Sequence, residues 1–305
     1  MRNDPGHRRD RIRRVIAAWM VFSLLLGHSI PARAADRAGQ TLLLGVHPYL
    51  SYGELQNRFL PLAHYLSKSL GMTVRVRVGR NYAEHVDEIG NDRIDIAYFG
   101  PISYVHMVEK YGSKPLLARL ERNGKAALVG HIVVPDNSPL RHVTELRGKA
   151  FAFGDPESTM STVVPQAVLA AAGITLGDLS HYANYRGHSN VALAVLSGQM
   201  DAGAIKSEVY EEFKERGLRS LARMPEVSEH LFVARGDMPP SLVEKIRVLL
   251  LGIAGDPEGM QALKALHRDA TGLVPVSDGD YDPLRKLLTS TGQQDGRQDG
   301  QDAGR

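Results

Sequence analysis

The chain has 305 residues, 43% of them hydrophobic and 23% charged, the balance of an ordinary globular protein, which excludes a fibrous or wholly disordered chain. The formal net charge is +3, yet the first 34 residues hold seven arginines against two aspartates. The remainder therefore carries about −2, and the argument from a basic domain to nucleic acid fails. There is no cysteine, which removes disulfides, Cys-ligated zinc or iron–sulfur clusters, a thiol nucleophile and lipid attachment at an N-terminal cysteine.

Arg2, Arg8, Arg9, Arg11, Arg13 and Arg14 precede twelve mostly apolar residues from Val15 to Leu26, and Pro31-Ala32-Arg33-Ala34-Ala35 follows. A charged region, a short apolar region and an Ala-x-Ala site in that order predict a cleaved secretory signal over residues 1–34. Twelve residues make only about 18 Å of helix, short of the roughly 30 Å hydrocarbon core, so a retained membrane anchor is the weaker reading. Arg8-Arg9 raises a twin-arginine route, but Asp10 follows it and general secretion is favoured. At the other end, Gly292 to Arg305 contains only Gly, Gln, Asp, Arg and one Ala, and residues 291–305 are expected to be a disordered tail.

Between these ends, Thr41 to Val46 is a short apolar run closed by His47-Pro48, read as a buried strand and a loop. Leu55, Phe59, Leu62, Leu66 and Leu70 fall at helical spacing before Gly71, which predicts a helix over 54–70. Thr73 to Val78 alternates as a strand, 82–90 is a short helix, 94–99 a strand and 102–111 a helix. Strands separated by helices imply parallel pairing and an α/β class. The pattern then restarts: strands are expected at 128–134, 150–153 and 201–205, and helices at 143–147, 158–172, 188–196 and 207–216. A strand at 231–234 and a helix at 241–251 return to the first unit. Two α/β lobes with two hinge crossings, near Ala127 to Gly130 and Val227 to Leu231, make a clamshell. Residues 41–127 and 231–290 form one lobe, and 128–230 the other.

The richest stretch for chemistry is Gly154-Asp155-Pro156-Glu157-Ser158-Thr159-Met160-Ser161-Thr162. It sets four hydroxyls at or just inside a helix start, where unpaired backbone N–H groups and the positive dipole end point outward together, an arrangement suited to an anion. Plain capping by Ser158 or Thr159 explains the same residues without a ligand, and the surplus of hydroxyls beyond one cap favours the anion. No Gly-x-x-x-x-Gly-Lys-Ser loop is present. His188, in a loop entering a helix, offers an imidazole N–H, although a lone histidine is more often structural. Glu208 lies at a helix start after a strand, where open α/β sheets place ligands, and its plain reading is a favourable first-turn carboxylate. Tyr49, Tyr52, Tyr82, Tyr98 and Tyr104 sit near strand ends, where most tyrosines pack their rings. No Gly-x-Ser-x-Gly elbow or His-Glu-x-x-His pair occurs, and the twelve histidines show no ligand spacing, so nothing argues for an enzyme or a metal site.

From about Leu42 to about Ala254 the chain resembles the periplasmic phosphonate- and phosphite-binding components of ABC importers, which have the type II periplasmic-binding-protein fold. The resemblance rests on four stretches in the family's order and spacing. They are Gly90-Asn91-Asp92-Arg93-Ile94-Asp95-Ile96-Ala97-Tyr98-Phe99-Gly100-Pro101-Ile102-Ser103-Tyr104; Gly154-Asp155-Pro156-Glu157-Ser158-Thr159 with Pro165; Gly187-His188 with Ala192-Leu193-Ala194-Val195 and Gly198; and Asp201-Ala202-Gly203-Ala204. It implies that Ser158 and Thr159 hold the phosphonyl oxygens with helix N–H groups, that His188 is a third donor, and that Tyr82 and Tyr98 close over the ligand from the first lobe. Glu208 matches the acidic residue that accepts the ammonium in aminoalkylphosphonate binders. The family continues Ser-Thr with Ser-Gly, whereas Met160 and Ser161 follow here, which leaves a third hydroxyl shifted to Ser161 or lost and a pocket narrowed by Met160. Ser189 replaces an acidic residue, and Lys206 stands near Glu208, able to neutralise it or to attract another anionic group.

The resemblance implies a monomeric periplasmic protein; no cofactor or metal is expected, and the charge of about −2 outside the leader gives no sign of a nucleic-acid partner. The protein would capture phosphonate, phosphite or phosphate in the interlobe cleft and deliver it to an ABC permease in the inner membrane. A sensing subunit for a receptor or kinase, using the same anion site, is the alternative. An enzyme on the same clamshell, as in thiamine-precursor pathways, and a structural protein with a vestigial cleft are more distant rivals.

Overall fold

A computed structural model of the chain describes residues 41–290. The expected leader and tail lie outside those residues. The first lobe opens with β1 (Thr41–Val46), α1 (Tyr52–Leu70), β2 (Thr73–Val78), α2 (Tyr82–Gly90), β3 (Ile96–Phe99), α3 (Pro101–Tyr111) and β4 (Leu116–Arg122). A two-residue strand, β5 (Ala127–Leu128), leads into the second lobe. There follow β6 (Gly130–Pro135), β7 (Ala150–Phe153), α4 (Val164–Ala171), β8 (His181–Asn184), α5 (His188–Leu196), β9 (Ala202–Lys206), α6 (Ser207–Phe213) and β10 (Leu218–Arg223). A second short strand, β11 (Val227–Ser228), returns the chain to β12 (Leu231–Ala234), α7 (Pro240–Leu251), α8 (Pro257–Leu266), β13 (Ala270–Val274) and α9 (Asp282–Ser290).

Each lobe is built on one sheet, ordered β13-β4-β12-β3-β1-β2 in the first and β10-β6-β9-β7-β8 in the second. The expectation of parallel pairing holds for only part of each sheet. β1 pairs in parallel with β2 and β3, and β7 with β8 and β9. The pairs β12–β3, β12–β4, β13–β4, β6–β9 and β6–β10 are antiparallel. The cause is the hinge: a strand that returns from the other lobe enters the sheet from the opposite end. β5 and β11 pair antiparallel with each other, so the two crossings run side by side as a ribbon. The expected strand at 128–134 is accordingly two strands, Leu128 belonging to the ribbon and Gly130–Pro135 to the sheet.

Local chemistry explains the elements. Ser51 caps α1 by accepting from Glu54 N–H, and Gly71 ends it at φ +67°, a left-handed conformation that glycine takes without a Cβ penalty. Leu55, Phe59, Leu62 and Leu66 bury the inner stripe of α1 against the sheet. Phe59, Tyr98 and Phe232 sit in the first-lobe core, and Val191, Val195 and Phe213 in that of the second. A third apolar cluster is continuous across both lobes, from Phe99 and Ile102 through Met160 and Phe153 to Tyr281 and Leu284. Helix α9 belongs to that seam, packing on α3, α4 and β11.

Gly203 in β9 lets α5 lie close on the sheet, since a Cβ there would come within 2.8 Å of Val191 and 2.9 Å of Val195. The first residue of α5 is His188, so this contact also fixes where that ring can reach. Gly203→Val should cost about 1–3 kcal/mol of unfolding free energy by overpacking, read as a lowered denaturation midpoint in urea.

Candidate functional site

The lobes enclose a cavity of about 490 Å³, open mouth included. From the second lobe it is lined by Glu157, Ser158, Thr159, Met160, His188 and Lys206. From the first come His47, Tyr49, Tyr82, Gly100, Arg122, His230 and His267.

Strand β7 ends in a turn organised by Asp155. Its carboxylate accepts from Glu157 N–H (2.9 Å), and its carbonyl accepts from Ser158 N–H (2.8 Å) and from the Thr162 hydroxyl (2.8 Å). A Cβ on Gly154 would lie 1.9 Å from Ser161 Oγ, so only glycine lets the turn fold back on the helix. The helix starts with a π-turn over Thr159–Val163 that runs into α4. Ser158 carbonyl accepts from both Thr162 and Val163 N–H at 3.1 Å. The N–H groups of Thr159, Met160 and Ser161 stand at the helix start, where no carbonyl lies one turn behind them, and all but Ser161 belong to residues that line the cleft. Ser161 Oγ donates to Ser158 Oγ at 2.7 Å, and Thr159 Oγ1 accepts from Ile102 N–H across the cleft at 3.2 Å. Both lining hydroxyls therefore keep their own protons for a ligand.

Gly187, at φ +79°, turns the chain so that His188 heads α5. His188 Nδ1 accepts from Lys206 N–H at 3.1 Å, which leaves the imidazole proton on Nε2. Burial, and then the Lys206 charge, hold its pKa at about 3, so it acts as a neutral donor. Around the end of a helix dipole the second-lobe wall thus presents N–H and O–H donors, with the Lys206 ammonium and the Glu157 carboxylate at its side.

Glu229, at the second crossing, is 1% exposed. Burial would raise its pKa, but the hydrogen bond from His230 Nδ1 and the Arg122 guanidinium hold it at about 2. Arg122 lies 2.8 Å from Asp269, 3.4 Å from Glu208 and 3.7 Å from Glu229. Tyr49 Oη and His267 Nδ1 are buried with no hydrogen-bond partner among the described residues, as polar groups are where a ligand completes them. Further cross-lobe links are His106 to Glu157 (2.8 Å) and Lys206 Nζ over the Tyr49 ring (5.8 Å).

Of the residues singled out from the sequence, the structure brings Ser158, Thr159, His188 and Tyr82 to the cavity wall. Three do not reach it. Tyr98 is fully buried behind the wall, stacked on His230 (5.2 Å) and His47 (5.7 Å), with its hydroxyl 3.3 Å from His267 Nε2. It supports the imidazoles where direct closure over a ligand was expected. Ser161 is turned inward to orient Ser158. Glu208 is drawn aside by Lys206 (2.8 Å) and Arg122, and although burial opposes it these cations lower its pKa. His47, Arg122, His230 and His267 were not singled out. The one local signal was the place of His47 at the carboxyl end of β1. Among the described residues no group of three or more His, Asp or Glu is arranged to hold a metal ion, and no helix is long and apolar enough to cross a membrane.

The family described as ABC transporter, phosphonate, periplasmic substrate-binding protein matches residues 44–281. The phosphate-import protein of Mycolicibacterium smegmatis is 27% identical over 287 residues, covering 85% of this chain and 88% of its own. The phosphonates-binding periplasmic protein of Escherichia coli is 25% identical over 273 residues, 84% of this chain and 78% of its own. A solved structure of PhnD1 from Prochlorococcus marinus, in complex with methylphosphonate, has a TM-score of 0.74 at 21% identity, covering 83% of this chain and 98% of that one. At that identity the likeness is one of fold.

His47, His85 and His267 are each no more than 3% exposed. Burial is the first cause that lowers their pKa values, to about 4 for His85 and well below the ordinary value for the other two. The unfolded chain takes up these protons near pH 6.5 and the folded chain refuses them, so stability is full above that pH and falls below it. By about pH 5 each histidine should cost up to about 2 kcal/mol, visible as a steep drop in the urea midpoint between pH 6.5 and 5; a flat profile would mean that these rings are charged in the fold.

Proposed function

The chain belongs to the family of periplasmic substrate-binding components of ABC phosphonate transporters, and from that premise we propose that it captures a small phosphorus oxyanion, a phosphonate, phosphite or phosphate, between its lobes and delivers it to an inner-membrane permease. The observation that carries the reading is the convergence of Ser158 and Thr159 hydroxyls, the N–H groups at the start of their helix and His188 Nε2–H on one cavity. Uncharged, pre-oriented donors suit a set of equivalent anionic oxygens and offer little to a sugar or an apolar chain. Relatives whose names declare phosphate import and phosphonate binding point the same way.

The finer choice among phosphorus compounds follows from Glu208. Its carboxylate is engaged by Lys206 and Arg122 and lies off the cavity wall, so a ligand ammonium has no free acceptor there. Ligands without an amine are therefore ranked above aminoalkylphosphonates, contrary to the role that the family resemblance suggests for Glu208.

Thermal denaturation with phosphate, phosphite, methylphosphonate, 2-aminoethylphosphonate and sulfate tests both points. A ligand at 100 times its dissociation constant should add about 2.7 kcal/mol, with the amine-free phosphorus compounds giving the larger shifts. No shift with any of them would overturn the reading. Ser158→Ala and Thr159→Val should each weaken binding by about 1–3 kcal/mol per lost bond, measured by calorimetry; unchanged affinity in the double variant would remove the site assignment.

A further inference from the structure

The donor wall has an acceptor opposite it. Tyr98 carbonyl oxygen, which can only accept, lies 3.1 Å from His47 Nδ1 and 3.1 Å from His85 Nε2. The single proton of a neutral His47 is therefore on Nδ1, and its Nε2 is a bare lone pair. That nitrogen has no hydrogen-bond donor among the described residues and borders the cavity beside Gly100, 3.6 Å from where a Cβ of that glycine would stand. The rings around His47 are Tyr49 (4.7 Å), Tyr82 (5.3 Å), His85 (6.1 Å), Tyr98 (5.7 Å) and His230 (5.4 Å). Lys206 is the charged group that acts on it from the other lobe. No carboxylate is among these neighbours, and burial together with His230, His85 and Lys206 opposes protonation of the ring. Glu157, the carboxylate on the cavity wall, faces His106 at 2.8 Å.

We propose that the cleft takes its phosphorus oxyanion in the singly protonated form, the P–OH hydrogen donated to His47 Nε2 while the deprotonated oxygens meet Ser158, Thr159 and His188. A fully ionised ligand would set an oxygen lone pair against the lone pair of His47 and leave a buried acceptor unmet. Sulfate and sulfonates, of the same shape, hold no proton at neutral pH and are rejected for that reason. His47 is thus a specificity-determining residue. The inference rests on the oxyanion reading above, which fixes the ligand class but not its proton.

The test is calorimetric affinity from about pH 6 to about pH 9 for methylphosphonate and for difluoromethylphosphonate, whose second ionisation lies lower, with methanesulfonate as the proton-free isostere. Affinity should fall about tenfold per pH unit above the second ionisation of each ligand. The break should move with the ligand, which a titrating protein group would not produce. Methanesulfonate should bind about 10- to 100-fold more weakly than methylphosphonate near neutral pH. In His47→Gln, whose carboxamide can turn an N–H to the ligand, the fall with pH should flatten and the sulfonate penalty shrink. An affinity independent of pH, a break at one pH for both phosphonates, equal binding of the sulfonate, or an unaltered slope in His47→Gln would overturn the inference while leaving the oxyanion reading in place. Failure of every phosphorus ligand to bind would overturn both. Should His47→Gln not fold, the two phosphonates on the unaltered protein decide the matter.

Discussion

Glu229 lies at the second crossing between the lobes with almost none of its side chain in water, and a charge that deep must be balanced where it stands. Its backbone N–H donates to Ala126 carbonyl in the adjoining crossing, and its carbonyl accepts from Tyr281 Oη at the start of the last helix. Its carboxylate takes His230 on one oxygen and lies near Arg122 on the other. Hinge, cavity floor and C-terminal seam thus share one residue. Because Arg122 also reaches Asp269 and Glu208, the balance of this buried charge extends into the second lobe, and the relative position of the lobes is part of how it is satisfied.

The two walls of the cavity differ in kind. The second-lobe wall is made by backbone geometry: a turn, a π-turn and a positive-φ glycine deliver N–H and O–H groups with little side-chain freedom left to lose. The first-lobe wall is made by side chains, a layer of imidazoles and phenols stacked over Tyr98 and held by its carbonyl. One wall presents N–H and O–H groups to the cavity, and the other holds imidazoles whose tautomers are set by what lies behind them. Tyr98 is central to the site for that reason although it does not touch the cavity.

Elements with a strong local period were legible in the sequence. Thr41–Val46, Thr73–Val78, Ala150–Phe153 and the helix at His188–Leu196 have the bounds expected of them, because apolar runs and glycine stops carry their own instructions. Leu116–Arg122, Leu218–Arg223 and Ala270–Val274 were not seen. Their charged or small residues hide the alternation, and they become strands by pairing with segments far along the chain. The site divides the same way. Ser158, Thr159 and His188 announce themselves through a helix start and a glycine turn, while Arg122, His230 and His267 come from three separate segments that only the assembled sheet brings together. Glu208 was visible with Lys206 beside it, as their 2.8 Å contact has it, but nothing local says that Arg122, 86 positions away, also arrives there.

The π-turn at Thr159–Val163 inserts one residue more than an α-helix needs. Each residue of an α-helix advances the face by about 100°, so the insertion sets two directions at once: Val164 and Leu169 are buried in the seam, and Ser158 and Thr159 line the cleft. Deleting any one residue of the turn would restore regular helical hydrogen bonding yet rotate one of these sets out of place. This stretch is therefore open to exchange of side chains and closed to change of length. Single-residue insertions and deletions that surface loops absorb freely would here exchange the cavity-lining hydroxyls for the apolar face of the same helix.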